Sequence, residues 1–581
     1  MLENVNSPKD IKSFSVEELK ILSQEIREAI LNRVSQIGGH VGPNLGAVEL
    51  ITALHYVFDS PIDKIVFDVS HQCYAHKILT GRKNGFLNQE AFSSISGYTA
   101  PLESEHDHFM VGHTSTSLSL ASGLAKARDL KKEKHNVIAL IGDGSLGGGE
   151  ALEGLNFIGE LSSNLIVVVN DNEMSIAPNH GGLYKNLKEL RETNGQAQNN
   201  IFKAMGLDYV YIENGHDIKT LIETFKSVKD SSKPIVIHIH TNKGQGYQFS
   251  ESEKEKWHYN MPFDVQTGLS TVSFNQENYN QITLDYLRKK IKTDDKVVVV
   301  NAGTPGAIGF TPEIREEFKE KFIDVGIMEE HAVAMSSALA KGGCKPIFWV
   351  LSSFVQRSYD QLSHDLALNK NPAVILVSWT GIGSNDATHL GIFDIPMISN
   401  IPNLLCLAPA SKEEYLNVLD WAINQTEVPV VIRVPSIVMS DYSLQLPKNP
   451  TKPTFHVTEK GDKVALIGLG ASYWLAKEVA DLLKNNKITP TLINPLYYSD
   501  LDTEALASLK ENHQLVITIE DGLISGGFGQ KIASFLSRQG VKVLNYGAQK
   551  EFTDRANVKE LYEKYHLTPE QIVEDILLAI Q

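Results

Sequence analysis

Two short stretches of this 581-residue chain hold residue types that could manage an anion and a metal ion together. The first is Gly142-Asp143-Gly144-Ser145, directly after the apolar run Asn136–Ile141. The second is Asp171-Asn172-Glu173-Met174, directly after Leu165–Asn170. Glycines around an aspartate let the backbone approach a diphosphate closely while the carboxylate points at a cation. The amide oxygen of Asn172 could reach the same cation from the second run. Two hard oxygen ligands, completed by phosphate oxygens and water, suit magnesium in octahedral geometry. A helix expected over Gly149–Glu160 would aim its N-terminal amides at the same anion. Gly-Asp-Gly alone is a common turn; the pairing with Asn-Asp-Asn, each ending a strand, is the specific feature.

The elements that must position these residues are legible as alternating patterns. Strands are expected at Asp63–Val69, Pro234–His238, Lys296–Val300, Pro346–Leu351, Pro372–Trp379, Pro429–Val434, Lys463–Gly468 and Gln514–Ile519, besides the two above. They are short, mostly β-branched and bounded by Gly, Pro or Asp, as buried parallel strands are. Helical patterns such as Val16–Gln36, Thr283–Lys292 and Ser472–Lys484 lie between them. The alternation predicts α/β domains with helices on both faces of parallel-rich sheets. Linkers expected at Gln266–Asn280 and Leu444–Lys460 divide the chain into domains 1–280, 281–445 and 446–581. The polar stretch Asn179–Asn200 is expected to be a mobile loop.

Composition excludes several classes. The chain is 42% hydrophobic and carries 54 basic against 70 acidic residues, a net charge of −16. That argues against disorder and against nucleic acid or an anionic membrane as the main partner. No apolar stretch is long enough for a membrane span. Cys73, Cys344 and Cys406 have no metal-binding or disulfide-framework spacing. Residues 1–10 show no secretory signal, so a cytoplasmic protein is expected.

The Gly-Asp-Gly and Asn-Asp-Asn pair resembles the thiamine-diphosphate/magnesium motif of transketolases and their relatives. Its neighbours resemble one family closely, the 1-deoxy-D-xylulose-5-phosphate synthases. The segments carrying this resemblance are Gly38-Gly39-His40, Asp68-Val69-Ser70-His71-Gln72, Gly112-His113-Thr114-Ser115-Thr116-Ser117, Asp324–Ala332, Ser352–Arg357 and Thr388-His389. The resemblance spans nearly the whole chain and implies three transketolase-like domains. They are a diphosphate-binding domain, a pyrimidine-binding domain and a transketolase C-terminal domain. It also implies thiamine diphosphate and Mg2+ as cofactors, and a homodimer acting on a pyruvate-like donor and an aldehyde acceptor.

By the same resemblance Glu329 pairs with the aminopyrimidine and Phe354 packs against it; unaided, these read as a helix N-terminal glutamate and a core phenylalanine. His71, Gly112, His113, Gly142, Asp143, Gly144, Ser145, Asn172 and Met174 fall at the diphosphate end, with Asp143, Asn172 and the Met174 carbonyl on the metal. His40 and His389 face the reacting carbon, suited to moving protons near neutral pH, and Arg357 lies near the donor carboxylate. His258 is a further candidate from Trp257-His258, and Lys243 a candidate cation by position.

The pattern breaks at the acceptor. The two arginines that grip its phosphate in the family fall on Ser378 and Ser436, while Asn385, Leu351 and Pro101 are smaller departures nearby. An arginine–phosphate contact is charge-assisted, so losing both would weaken acceptor binding unless another cation replaces them. Three readings follow: a synthase, a paralogue with another acceptor or a transketolase-type ketol transfer, and a cofactor-binding paralogue without turnover.

Overall fold

The structure is a computed structural model and describes residues 1–273 and 276–581. Phe274 and Asn275, inside the expected linker Gln266–Asn280, lie outside the described residues. Two compact units are formed, Met1–Asn275 with Gly326–Met328, and Gln276–Val325 with Glu329–Gln581.

In the first unit, strands β1 (Lys64–Phe67), β2 (Val137–Gly142), β3 (Ile166–Asp171), β4 (Asp208–Ile212) and β5 (Ile235–His240) form one parallel sheet. The spatial order is β1-β2-β3-β5-β4. Side chains of β3 alternate between two cores. Ile166 and Val168 pack on one face, Val167 and Val169 on the other, and all four are fully buried. Burial on both faces is why the run is continuously β-branched instead of alternating with polar residues. Helices Val16–Ile37 and Ile218–Val228 cover the first face, and Ser117–Lys131 and Gly149–Ile158 the second. The helix Val16–Ile37 starts on a capping box, with Ser15 and Glu18 satisfying each other's backbone amides.

The stretch expected as a mobile loop, Asn179–Asn200, contains an ordered helix, Gly182–Glu192. Its apolar residues Leu183, Leu187 and Leu190 recur at helical spacing, and Leu187 and Leu190 are buried in the core. The polar residues between them lie on the other face of the helix and mask the pattern when read linearly.

The second unit holds two sheets. Strands β6 (Val297–Asn301), β7 (Phe322–Asp324), β8 (Lys345–Leu351), β9 (Val374–Ser378), β10 (Leu405–Leu407) and β11 (Val430–Arg433) pair in the parallel order β10-β11-β9-β8-β6-β7. The other sheet comprises β12 (His456–Glu459), β13 (Lys463–Gly468), β14 (Thr491–Asn494), β15 (His513–Leu523) and β16 (Lys542–Ala548). Its order is β12-β14-β13-β15-β16, and only the edge strand β12 runs antiparallel. One apolar cluster joins Val300, Phe348 and Ile375 of the first sheet to Ala465, Ile467 and Val516 of the second. Packing is therefore continuous across residue 445. Among the described residues no helix is long and apolar enough to cross a membrane. Cys73, Cys344 and Cys406 are all free thiols.

Candidate active site

The first unit places Gly142–Ser145 and Asn172–Met174 at the carboxyl ends of β2 and β3, where open parallel sheets place their ligand sites. Gly142 pairs in register with Asn170, so Asp143 and Asp171 leave neighbouring strands side by side. The two turns touch: a Cβ on Gly144 would come within 2.6 Å of the Ser175 Cβ. Asn179 Nδ2 donates to Asp143 Oδ2 at 2.8 Å. Asn172 Oδ1 accepts from the Met174 amide at 3.2 Å, and Glu173 between them sits at φ +67°, a left-handed reversal.

Asp143 is buried, and its carboxyl is raised well above the usual carboxylate range by burial and then by the charge of Asp171. A cation between the turns would relieve that cost. Asp171 goes the other way. Burial alone would raise it, but a 2.8 Å bond from His238 Nε2 and the Arg191 guanidinium hold it well below its ordinary value. Lys243 is also here: Nζ donates to the Ser175 carbonyl at 2.6 Å, and burial pulls its ammonium down to about 7. It braces the second turn.

The Gly112–Ser117 loop reaches the same place through Ser115, whose hydroxyl donates to the Ser145 carbonyl at 2.8 Å. Asp68 anchors that loop by accepting from the Ser115 and Ser117 amides at 2.8 and 2.9 Å. A Cβ on Gly148 would lie 2.2 Å from the Ser115 hydroxyl, so only glycine permits this approach. His40, His71 and His258 form a cluster, with ring centroids 5.1 to 5.5 Å apart. Asn44 ties it together: its Nδ2 donates to the carbonyls of His40 (2.8 Å) and His71 (2.7 Å). Burial, then the charges of Lys243, His71 and His40, hold His258 well below its ordinary range, so it is neutral.

In the second unit Glu329 opens the helix Glu329–Lys341 and is 2% exposed. Burial pushes its carboxyl up to about 7, against the Arg357 guanidinium, whose Nη1 is 3.9 Å from Oε2. That Oε2 makes no hydrogen bond, unusual for a buried carboxyl. Phe354 and His389 meet edge to face with centroids 5.6 Å apart, and the Thr388 hydroxyl is 2.9 Å from His389 Nδ1.

The two serines at the break in the pattern are engaged differently. Ser378 is buried at the end of β9, and its hydroxyl accepts from Trp349 Nε1 at 2.7 Å. Ser436 is exposed and borders a cavity of about 300 Å3 whose charged lining is Glu478, Glu520 and Asp521. Arg433 is close by in sequence but is matched by Asp394 and Asp521.

Residues that sequence reasoning passed over include Asp68, Asn44, Tyr184, Arg191 and His238. Asp68 stands in a motif segment that by itself assigns it no role, and Arg191 lies in the stretch expected as a loop. Only the helical spacing of Leu183, Leu187 and Leu190 pointed to that helix.

No group of three or more His, Cys, Asp or Glu side chains that could hold a metal exists among the described residues. The ligands expected there, Asp143, Asn172 and the Met174 carbonyl, would give one carboxylate, one amide and one backbone carbonyl. That set is too weak to hold a divalent ion alone and suits one that arrives with phosphate oxygens.

Comparison with known proteins agrees in every part of the chain. The family profile "1-deoxy-D-xylulose-5-phosphate synthase" matches residues 2–200 and 193–241. "Transketolase, pyrimidine binding domain" matches 277–439, and "Transketolase, C-terminal domain" matches 454–572. A 1-deoxy-D-xylulose-5-phosphate synthase of Caldanaerobacter subterraneus is 38% identical over 621 aligned positions, covering 99% of both chains. One of Dictyoglomus thermophilum is 38% identical, covering 100% of this chain and 99% of its own. Among solved structures, a transketolase of Pichia stipitis aligns over 97% of this chain and 98% of its own, at 16% identity and a TM-score of 0.44. That likeness is too distant to add to the sequence matches.

Proposed function

This chain belongs to the 1-deoxy-D-xylulose-5-phosphate synthase family of thiamine-diphosphate transferases, and from that premise we propose a specific reaction and site. It joins pyruvate to D-glyceraldehyde 3-phosphate, releasing carbon dioxide and forming 1-deoxy-D-xylulose 5-phosphate. The observation that carries this reading is the meeting of two strand-end turns, Gly144 on Ser175, with the Asp143 carboxyl buried between them. Asp143, Asn172 and the Met174 carbonyl would hold Mg2+. The Gly142–Ser145 turn, His71, Gly112 and His113 would take the diphosphate. Bound thiamine diphosphate supplies the electron sink that pyruvate decarboxylation requires.

The chain's own residues do the rest. The Glu329 carboxyl, poised near 7 with Oε2 unbonded, would hold a proton shared with a ring nitrogen of the cofactor. Phe354 would pack against that ring. Arg357 would orient the donor carboxylate, while His40 and His389 would move protons at the reacting carbon. Ser378 and Ser436 offer no charge to an acceptor phosphate, so that phosphate must be gripped by other residues.

We also infer a homodimer, as the family resemblance implies, in the cytoplasm; the three free thiols fit a reducing compartment. The full-length relatives share one name, which speaks against the ketol-transfer and turnover-free readings. The test is pyruvate-dependent carbon dioxide release by protein loaded with thiamine diphosphate and Mg2+, with and without D-glyceraldehyde 3-phosphate. Product formation at ordinary enzyme rates is expected. Release supported only by other aldehydes would move the acceptor assignment, and no release with any would end the reading.

A further inference from the structure

The helix Gly182–Glu192 touches both turns of the proposed ion site, and the chemistry above makes no use of it. Near its start the Tyr184 hydroxyl donates to the Gly144 carbonyl at 3.2 Å. Near its end Arg191 forks: Nη1 pairs with Asp171, and Nη2 donates to Glu173 Oε2 at 3.1 Å. The arginine side chain is 11% exposed and Asp171 is wholly buried, so the pair is shielded from solvent screening.

Asp171 is the group that needs holding. It leaves its strand beside Asp143, on the strand paired in register with it, and both side chains are buried. The guanidinium holds an oxygen of that carboxylate from the neighbouring helix. Its second arm fixes Glu173, the residue at φ +67° that reverses the chain between Asn172 and Met174. His238 is a second brace: Nε2 lies 2.8 Å from Asp171 Oδ2, and Nδ1 lies 2.8 Å from the Tyr209 hydroxyl. This Asp–His–Tyr chain looks like a proton relay, but His238 is fully buried, so no substrate reaches it.

We propose that Arg191 is a positioning residue for the divalent-ion site. Through Asp171 and Glu173 it sets the turn that presents Asn172 and Met174, while Tyr184 fixes the opposite turn at Gly144. The proposal rests on the cofactor reading above.

The test compares wild type with R191M, R191K and Y184F. Each apoprotein is titrated with thiamine diphosphate at fixed MgCl2 and melted with and without both. R191M should raise the Kd about 10–100-fold, as loss of a residue that orients a metal ligand does. It should also lose most of the ligand-dependent rise in Tm. R191K should recover part of the affinity, because an ammonium keeps the charge but cannot fork. Y184F should weaken binding less than R191M. A lower ligand-free Tm with an unchanged Kd would mean a merely structural role and overturn the proposal. Should R191M not fold, wild-type Kd values in both R191K and Y184F would overturn it equally. Wild-type protein that itself binds no thiamine diphosphate would bring down the cofactor reading, and this proposal with it.

Discussion

The two candidate sites, one in each unit, are built in opposite ways. In the first unit, Asp143, Asp171 and the Ser175 carbonyl are each met by a donor from another element: Asn179, His238 with Arg191, and Lys243. In the second unit, Glu329 is buried as deeply, but its Oε2 makes no hydrogen bond and lies 3.9 Å from the Arg357 guanidinium. On the proposed reaction, the difference matches the role assigned to each place. A site for a highly charged group is best held rigid, because reorganising buried charges during binding costs energy. A proton-exchanging carboxyl must stay uncommitted, and burial without a strong partner keeps its pKa near the working pH.

The contrast can be broken most severely at Asp143. D143N should reduce affinity for thiamine diphosphate with Mg2+ by about 100-fold or more, since it removes the only carboxylate in the donor set; titration of the apoprotein checks this. E329Q should leave that affinity nearly intact while lowering kcat about 10²–10⁴-fold. If E329Q instead lost cofactor affinity and kept kcat, the assignment of holding to Asp143 and reacting to Glu329 would be wrong.

The same variant sharpens the comparison through stability. The folded-state pKa of Glu329 is about 7, raised from an ordinary 4.5 by burial. The folded protein therefore binds the extra proton, and stability from this group is present below pH 4.5 and lost as pH rises through 7. E329Q should match wild type at pH 5. At pH 8, without ligand, it should be more stable by on the order of 1–3 kcal/mol. Glu414 and Glu520 are also raised to about 7 by burial, so wild type keeps part of the same slope in E329Q. The smallest effect is expected at Ser378. S378A leaves the buried Trp349 indole N–H without its acceptor, which should cost about 1 kcal/mol in chemical denaturation. S378R would have to displace that contact from a buried position, so it should lower the Tm without improving use of a phosphorylated acceptor.

Much of the fold was legible because its strands are buried on both faces. Ile166–Val169 could satisfy no pattern except a covered parallel strand, and the expected run Leu165–Asn170 lies one residue from the observed Ile166–Asp171. Short strands were harder: Phe322–Asp324 and Leu405–Leu407 have three residues each and no internal periodicity to read. The helix Gly182–Glu192 was missed because polar residues outnumber its core-facing leucines. Among site residues, Asp143 and Asn172 were visible as motif positions. Arg191, Tyr184 and His238 were not, since each acts through a partner far away in sequence.

Local order, the residue types at each turn and the family were thus set by the chain's own string of residues. Strand propensity, glycine placement and motif spacing are short-range properties. Which charges came to rest against which was decided only in three dimensions. The pKa of Asp143, the fork of Arg191 and the vacant oxygen of Glu329 all depend on burial and on contacts closed by long-range packing. No window along the sequence contains those partners together.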